Sequence, residues 1–105
     1  MGRKGNNLKT ITISSKRQLH DAMGYISDEC NLSLSGIVRE ALQKAEIGDI
    51  TKDNANLSNG GFYRTVVNIS DAEEQIIRRY CSTAKLSRSA VIRAAVTVYL
   101  QSLSL

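Results

Sequence analysis

Two short stretches of the chain alternate between apolar and polar positions with a period of two. The clearer is Arg64-Thr65-Val66-Val67-Asn68-Ile69-Ser70, and Lys9-Thr10-Ile11-Thr12-Ile13-Ser14 repeats its character near the start. Successive side chains of a strand point to opposite faces, so Thr65, Val67 and Ile69 face a core while Arg64, Val66 and Asn68 face out. By the same logic Ile11 and Ile13 point inward and Thr10 and Thr12 outward. Each run stops at a serine and leads into a helical pattern, and the two are expected to pair as one antiparallel ribbon. A two-stranded ribbon is marginal in water, so its apolar face needs helices beneath it.

The helical patterns supply them. After the first strand, Ser14 or Ser15 caps a helix over about 16–30, in which Leu19, Ala22, Met23, Ile26 and Cys30 draw one apolar stripe ending at Asn31. Ser33 or Ser35 then caps a second helix with the inner face Ile37, Val38, Ala41, Leu42 and Ala45. Residues 46–61 show neither period and are rich in Gly, Asn and Asp, which predicts a linker. Beyond the second strand, Ser70 and Glu73 have the spacing of a capping box. They open a helix with the row Ala72, Ile76, Tyr80 and Ala84, joined by Ile77. A last helix begins in Leu86-Ser87-Arg88-Ser89 and turns Val91, Ile92, Ala95, Val96, Tyr99 and Leu100 inward.

The second half therefore repeats the first as strand, helix, helix. Ile13 and Ile69 lie 56 positions apart, and Leu32 and Leu86 lie 54 apart. From Leu32 and Leu86 onward the copies align without gaps, and internal repeats decide architecture.

A chain of 105 residues suits one compact domain. Its net charge of +4 and pI near 9.3 favour an anionic partner. Residues 1–45 carry seven basic and four acidic side chains, residues 46–61 one and three, and residues 62–105 six and three, so two basic halves flank an acidic connector. No apolar run approaches the roughly 20 residues of a membrane helix, and the polar start lacks the apolar segment of a secretory signal. A soluble, cytoplasmic protein without membrane contact is expected. Cys30 and Cys81 lie in helical patterns without a CxxC or His-rich context and read as ordinary thiols. His20, the only histidine, has neither triad nor ligand spacing around it and reads as a helix-surface residue. Gly60-Gly61 reads as a turn before the strand rather than a phosphate loop. No enzyme, metal or cofactor is expected.

Both halves resemble the ribbon-helix-helix DNA-binding fold of the MetJ and Arc repressors. The resemblance is carried by the strands ending Ile13-Ser14 and Ile69-Ser70. It is carried also by the helix entries Leu32-Ser33-Leu34-Ser35 and Leu86-Ser87-Arg88-Ser89, each followed by Arg39 or Arg93. It covers all but the basic arm, residues 1–7, and the linker, leaving unit 1 at 8–45 and unit 2 at 62–105. Family members dimerise through one such unit. Here both lie on one chain, which implies a mainly α fold with a two-stranded antiparallel ribbon, built as an intramolecular pseudo-dimer. Fused twin units of this kind also look similar to a transcription regulator of filamentous archaeal viruses.

The resemblance implies a transcription regulator that lays its ribbon in the major groove of double-stranded DNA. Thr10, Thr12, Arg64, Val66 and Asn68 would read base edges, with Leu8 matching Arg64 in the first copy. Ser33, Leu34 and Ser35 would seat one phosphate, and Ser87, Arg88 and Ser89 another. Arg3 and Lys4 of the arm would touch phosphate or the minor groove. Arg39 and Arg93 sit deeper in their helices and read as surface or ion-pairing residues. Pseudo-dimers could also associate side by side on adjacent sites. The competing expectation is an antitoxin-like or partner-binding protein on the same fold, using the linker or the final residues, including Leu103 and Leu105.

Overall fold

The strands expected from the alternation form and pair. In the computed structural model, which describes residues 8–56 and 63–103, β1 (Lys9–Ser15) runs antiparallel to β2 (Tyr63–Ile69) as a two-stranded sheet. The register runs from Lys9 opposite Ile69 to Ser15 opposite Tyr63. Ile11 faces Val67, its counterpart 56 positions on, so Thr10 opposite Asn68 and Thr12 opposite Val66 exchange places under the repeat. Ile13, Thr65, Val67 and Ile69 are buried, whereas Thr10, Thr12, Arg64, Val66 and Asn68 are exposed.

Four long helices cover the inner face: α1 (Arg17–Cys30), α2 (Leu34–Lys44), α4 (Asp71–Ala84) and α5 (Arg88–Ser102). Leu19, Met23 and Ile26 of α1 are buried, and so are Ile37, Val38, Ala41 and Leu42 of α2. Each fully buried Ile, Leu or Val contributes roughly 1.5–3 kcal/mol relative to exposure, so this shared interior is the main source of cohesion between ribbon and helices. Cys30 departs from its expected stripe and is exposed, while Cys81 is half-buried.

Helix ends follow the side chains available to them. Ser33 Oγ accepts from Gly36 N at 2.9 Å, and Ser87 Oγ accepts from Ala90 N at 3.2 Å. Asn31 and Lys85 end α1 and α4 in the left-handed conformation, with φ of 56° and 59°. The start of α1 differs from expectation. Lys16, not Ser14 or Ser15, is the N-cap, and it makes no side-chain cap. The strand runs one residue further than the pattern suggested, pairing Ser15 with Tyr63 and burying the Ser15 side chain.

Residues 46–56 of the connector are more ordered than their composition suggested. A 3-10 turn over Ile47–Asp49 is followed by α3 (Lys52–Asn56), whose first turn is held by Asn54 N donating to Thr51 Oγ1 at 3.1 Å. Ile50 and Ala55 are buried, and α3 packs on α5. Because α5 is covered on this side too, Ala90, Ala94 and Thr97 join its expected inner face. That makes α5 the central helix, apolar nearly all round. Among the described residues, no helix is long and apolar enough to cross a membrane.

In α4 the inner stripe is rotated from the expected row. Ala72 is exposed, Ile77 is fully buried, and Glu73 and Glu74 turn inward. Burial of a carboxylate is tolerated only where donors meet it. Both glutamates are met.

Candidate nucleic-acid interface

The outward face of the ribbon presents a short grid of side chains. Along it Thr10 stands opposite Asn68, Thr12 opposite Val66, and Ser14 opposite Arg64, with Leu8 beyond the end of β1. Val66 is 63% exposed and Leu8 46%, both high for apolar side chains. Arg64 makes no ion pair among the described residues. Thr10 Oγ1 donates to Asn68 Oδ1 at 3.0 Å across the strands, so this polar pair is already organised.

One helix entry abuts the ribbon directly. Ser35, in the first turn of α2, accepts a hydrogen bond from the Asn68 backbone amide at 2.9 Å. The first amides of a helix have no intrahelical carbonyl to reach. With Gly36 N taken by Ser33, the amides of Leu34 and Ser35 are left for an outside acceptor beside β2. In α5, Ser87 likewise takes Ala90 N and leaves those of Arg88 and Ser89.

The Arg88 side chain is not free. Its Nη1 and Nη2 donate to Glu74 Oε2 and Oε1 at 2.6 and 2.8 Å, a forked pair that Arg78 joins through Nε at 3.1 Å. The hydrogen bonds from Arg88 outweigh the cost of burial and hold the Glu74 carboxyl at about 2. The same bonds push the Arg88 guanidinium upward. Two of five guanidinium donors are thus spent on Glu74, whose single negative charge Arg78 shares.

Glu73 has a different set of partners. Ser70 N and Oγ donate to its Oε1 at 2.8 and 2.6 Å, Arg39 Nε donates at 3.2 Å, and Gln43 donates to its Oε2. Burial pushes this carboxyl up, but the bonds from Ser70 and Gln43 and the charge of Arg39 bring it below the usual carboxylate range. The expected capping box is therefore present and also ties α4 to α2. Arg39 is an ion-pairing residue, as its depth in the helix implied.

Arg93 donates to Ser14 O at 3.4 Å and Ala55 O at 3.5 Å, joining β1, α3 and α5; burial depresses its guanidinium. His20 is not a plain surface residue. Its ring stacks on Tyr63 with centroids 5.0 Å apart, and Nδ1 lies 3.4 Å from Thr65 Oγ1. It braces the end of β2 from the helical side.

Sequence reasoning located the grid and the helix entries but missed the Ser35 bond to Asn68, the Glu74–Arg88 fork and the partners of Glu73 in α2. The Glu73-Glu74 doublet at a helix start was the one available hint, since a solvated pair and an inward pair look alike in sequence. Arg3 and Lys4, Gly60-Gly61 and Leu105 lie outside the described residues. No family model, curated protein or solved structure matches this chain significantly.

Proposed function

We propose that the protein is a sequence-specific double-stranded DNA-binding regulator of transcription, formed as a pseudo-dimer of two ribbon-helix-helix units. The observation that carries this reading is the register. Pairing Ile11 with Val67 centres two similar half-ribbons on one another, and it gathers Thr10, Thr12, Arg64, Val66 and Asn68 on one exposed face. A two-stranded ribbon fits the major groove, where Arg pairs with guanine, Asn with adenine, and Val or a Thr methyl with the thymine methyl. Leu34, Ser35, Arg88 and Ser89 offer helix-start amides to phosphates on either side. Such contacts set the position of the ribbon, and the grid sets its preference.

Because β1 offers Thr10 and Thr12 where β2 offers Val66 and Asn68, the preferred site is an imperfect palindrome. Removing Arg64 or Asn68 erases preference between sequences while general affinity persists. A footprint on DNA upstream of the protein's own gene, taken at two salt concentrations, tests the reading. Protection that weakens steeply as salt rises supports phosphate-anchored recognition. Absence of protection, with binding of another protein through the connector or the final residues, favours the partner-binding use instead.

A further inference from the structure

The outward face is not symmetric in its internal bonding, and the difference falls on Asn68. Its backbone amide is tied to Ser35 of α2 at 2.9 Å, and its side-chain oxygen accepts from Thr10 Oγ1 at 3.0 Å. Under the repeat, the counterpart of Asn68 is Thr12, which stands opposite Val66 and has no polar cross-strand partner among the described residues. One reader is therefore held from two sides, and its counterpart is not.

The geometry points to Thr10 as a positioning residue that holds the Asn68 carboxamide in place, so that the ribbon reads an adenine at one position that its other half does not match. This inference rests on the DNA-reading proposal above. The terminal torsion of an asparagine is broad and roughly two-fold, so a free carboxamide presents oxygen and nitrogen in either order. The Thr10 hydroxyl, which donates to Oδ1 here and can accept from Nδ2 in the other order, holds the carboxamide in place against rotation away from the groove. Oδ1 keeps a second lone pair and Nδ2 keeps both protons, enough for the adenine N6 donor and N7 acceptor together.

Arg64 lies four residues back on β2, beyond Val66 and opposite Ser14. Its preferred guanine therefore falls to one side of the adenine, and the two together give the site a direction. Thr10 acts through Asn68 in this scheme rather than as a base reader in its own right.

The test is a selection of random duplexes by the full chain, followed by affinity measurements on the enriched site with each base at each position. Val has the shape of Thr without its hydroxyl, and Ser has the hydroxyl without the methyl. The wild-type chain is expected to prefer adenine at one position by about tenfold or more, the range of a good bidentate pair. Thr10→Val should reduce that preference to about two- or threefold while preference at the guanine position stays, since Val removes only the bond to Asn68. Thr10→Ser should restore it. A wild-type motif that Thr10→Val leaves unchanged, or that Thr10→Ser fails to rescue, overturns the positioning role alone. A wild-type selection that enriches no motif overturns the DNA-reading proposal and this inference with it.

Discussion

Replacing Glu73 with alanine tests how the two halves of the chain are held together. The side chain is 1% exposed and receives four donors, two from Ser70 at the start of α4 and one each from Arg39 and Gln43 of α2. Removing it leaves the Ser70 amide and the Gln43 amide without their acceptor. Hydrogen bonds to a charged group contribute about 1.5–3 kcal/mol each, and an orphaned buried donor costs about 1–3 kcal/mol. The Arg39 contact counts for less, because its side chain is 41% exposed and water can replace the carboxylate. A net loss of about 3 kcal/mol is expected, which for a domain of this size lowers Tm by roughly 12–24 °C. Urea unfolding followed by circular dichroism measures it. Glu73→Gln, which keeps an acceptor for Ser70 but loses the charge, should cost less. A double-mutant cycle with Gln43→Ala should show coupling above about 0.5 kcal/mol, the level expected of residues in one network. A Glu73→Ala loss below about 0.5 kcal/mol, the range of ordinary surface substitutions, refutes the reasoning.

Other outcomes follow from the same contacts. Glu74, held at about 2 against a usual 4.5, contributes stability that is complete above pH 4.5 and is lost as the pH falls toward 2. Acid unfolding monitored by circular dichroism should therefore be shallower over that window in Glu74→Gln. Lys85 ends α4 at a φ of 59°, so Lys85→Gly should raise stability in urea by up to about 1 kcal/mol, the approximate cost of a left-handed non-glycine residue. Arg88→Ala should destabilise the fold by releasing Glu74, and the carboxylate left unpaired beside the α5 start should weaken binding to all duplexes alike, read by fluorescence anisotropy. Arg64→Ala and Asn68→Ala should flatten sequence preference instead, in the same assay.

What the chain reveals by inspection depends on how local the governing physics is. The faces of β1 and β2 were legible because alternation is a property of seven consecutive residues, and their pairing followed from the repeat. Asn31 as the stop of α1, Ser33 and Ser87 as caps, and the Ser70–Glu73 box were legible for the same reason. The inward turn of Glu73 and Glu74 was not, because it depends on Arg39, Gln43 and Arg88, which lie 14 to 34 positions away. The order within the connector was not legible because neither Ile50 nor Ala55 belongs to a periodic run; both are buried by tertiary packing, in which α3 lies on α5. His20 looked like a surface residue because its stacking partner, Tyr63, belongs to the other half of the chain.

The most direct measurement maps backbone amide chemical shifts while a short DNA duplex carrying the selected site is added to the full chain. The largest changes should fall on Thr10, Thr12, Arg64, Val66 and Asn68, with Leu34, Ser35, Arg88 and Ser89 responding alongside. Changes concentrated on the exposed side of α1 and α4, with the outward ribbon residues undisturbed, would contradict the assignment of the ribbon as the DNA-reading surface.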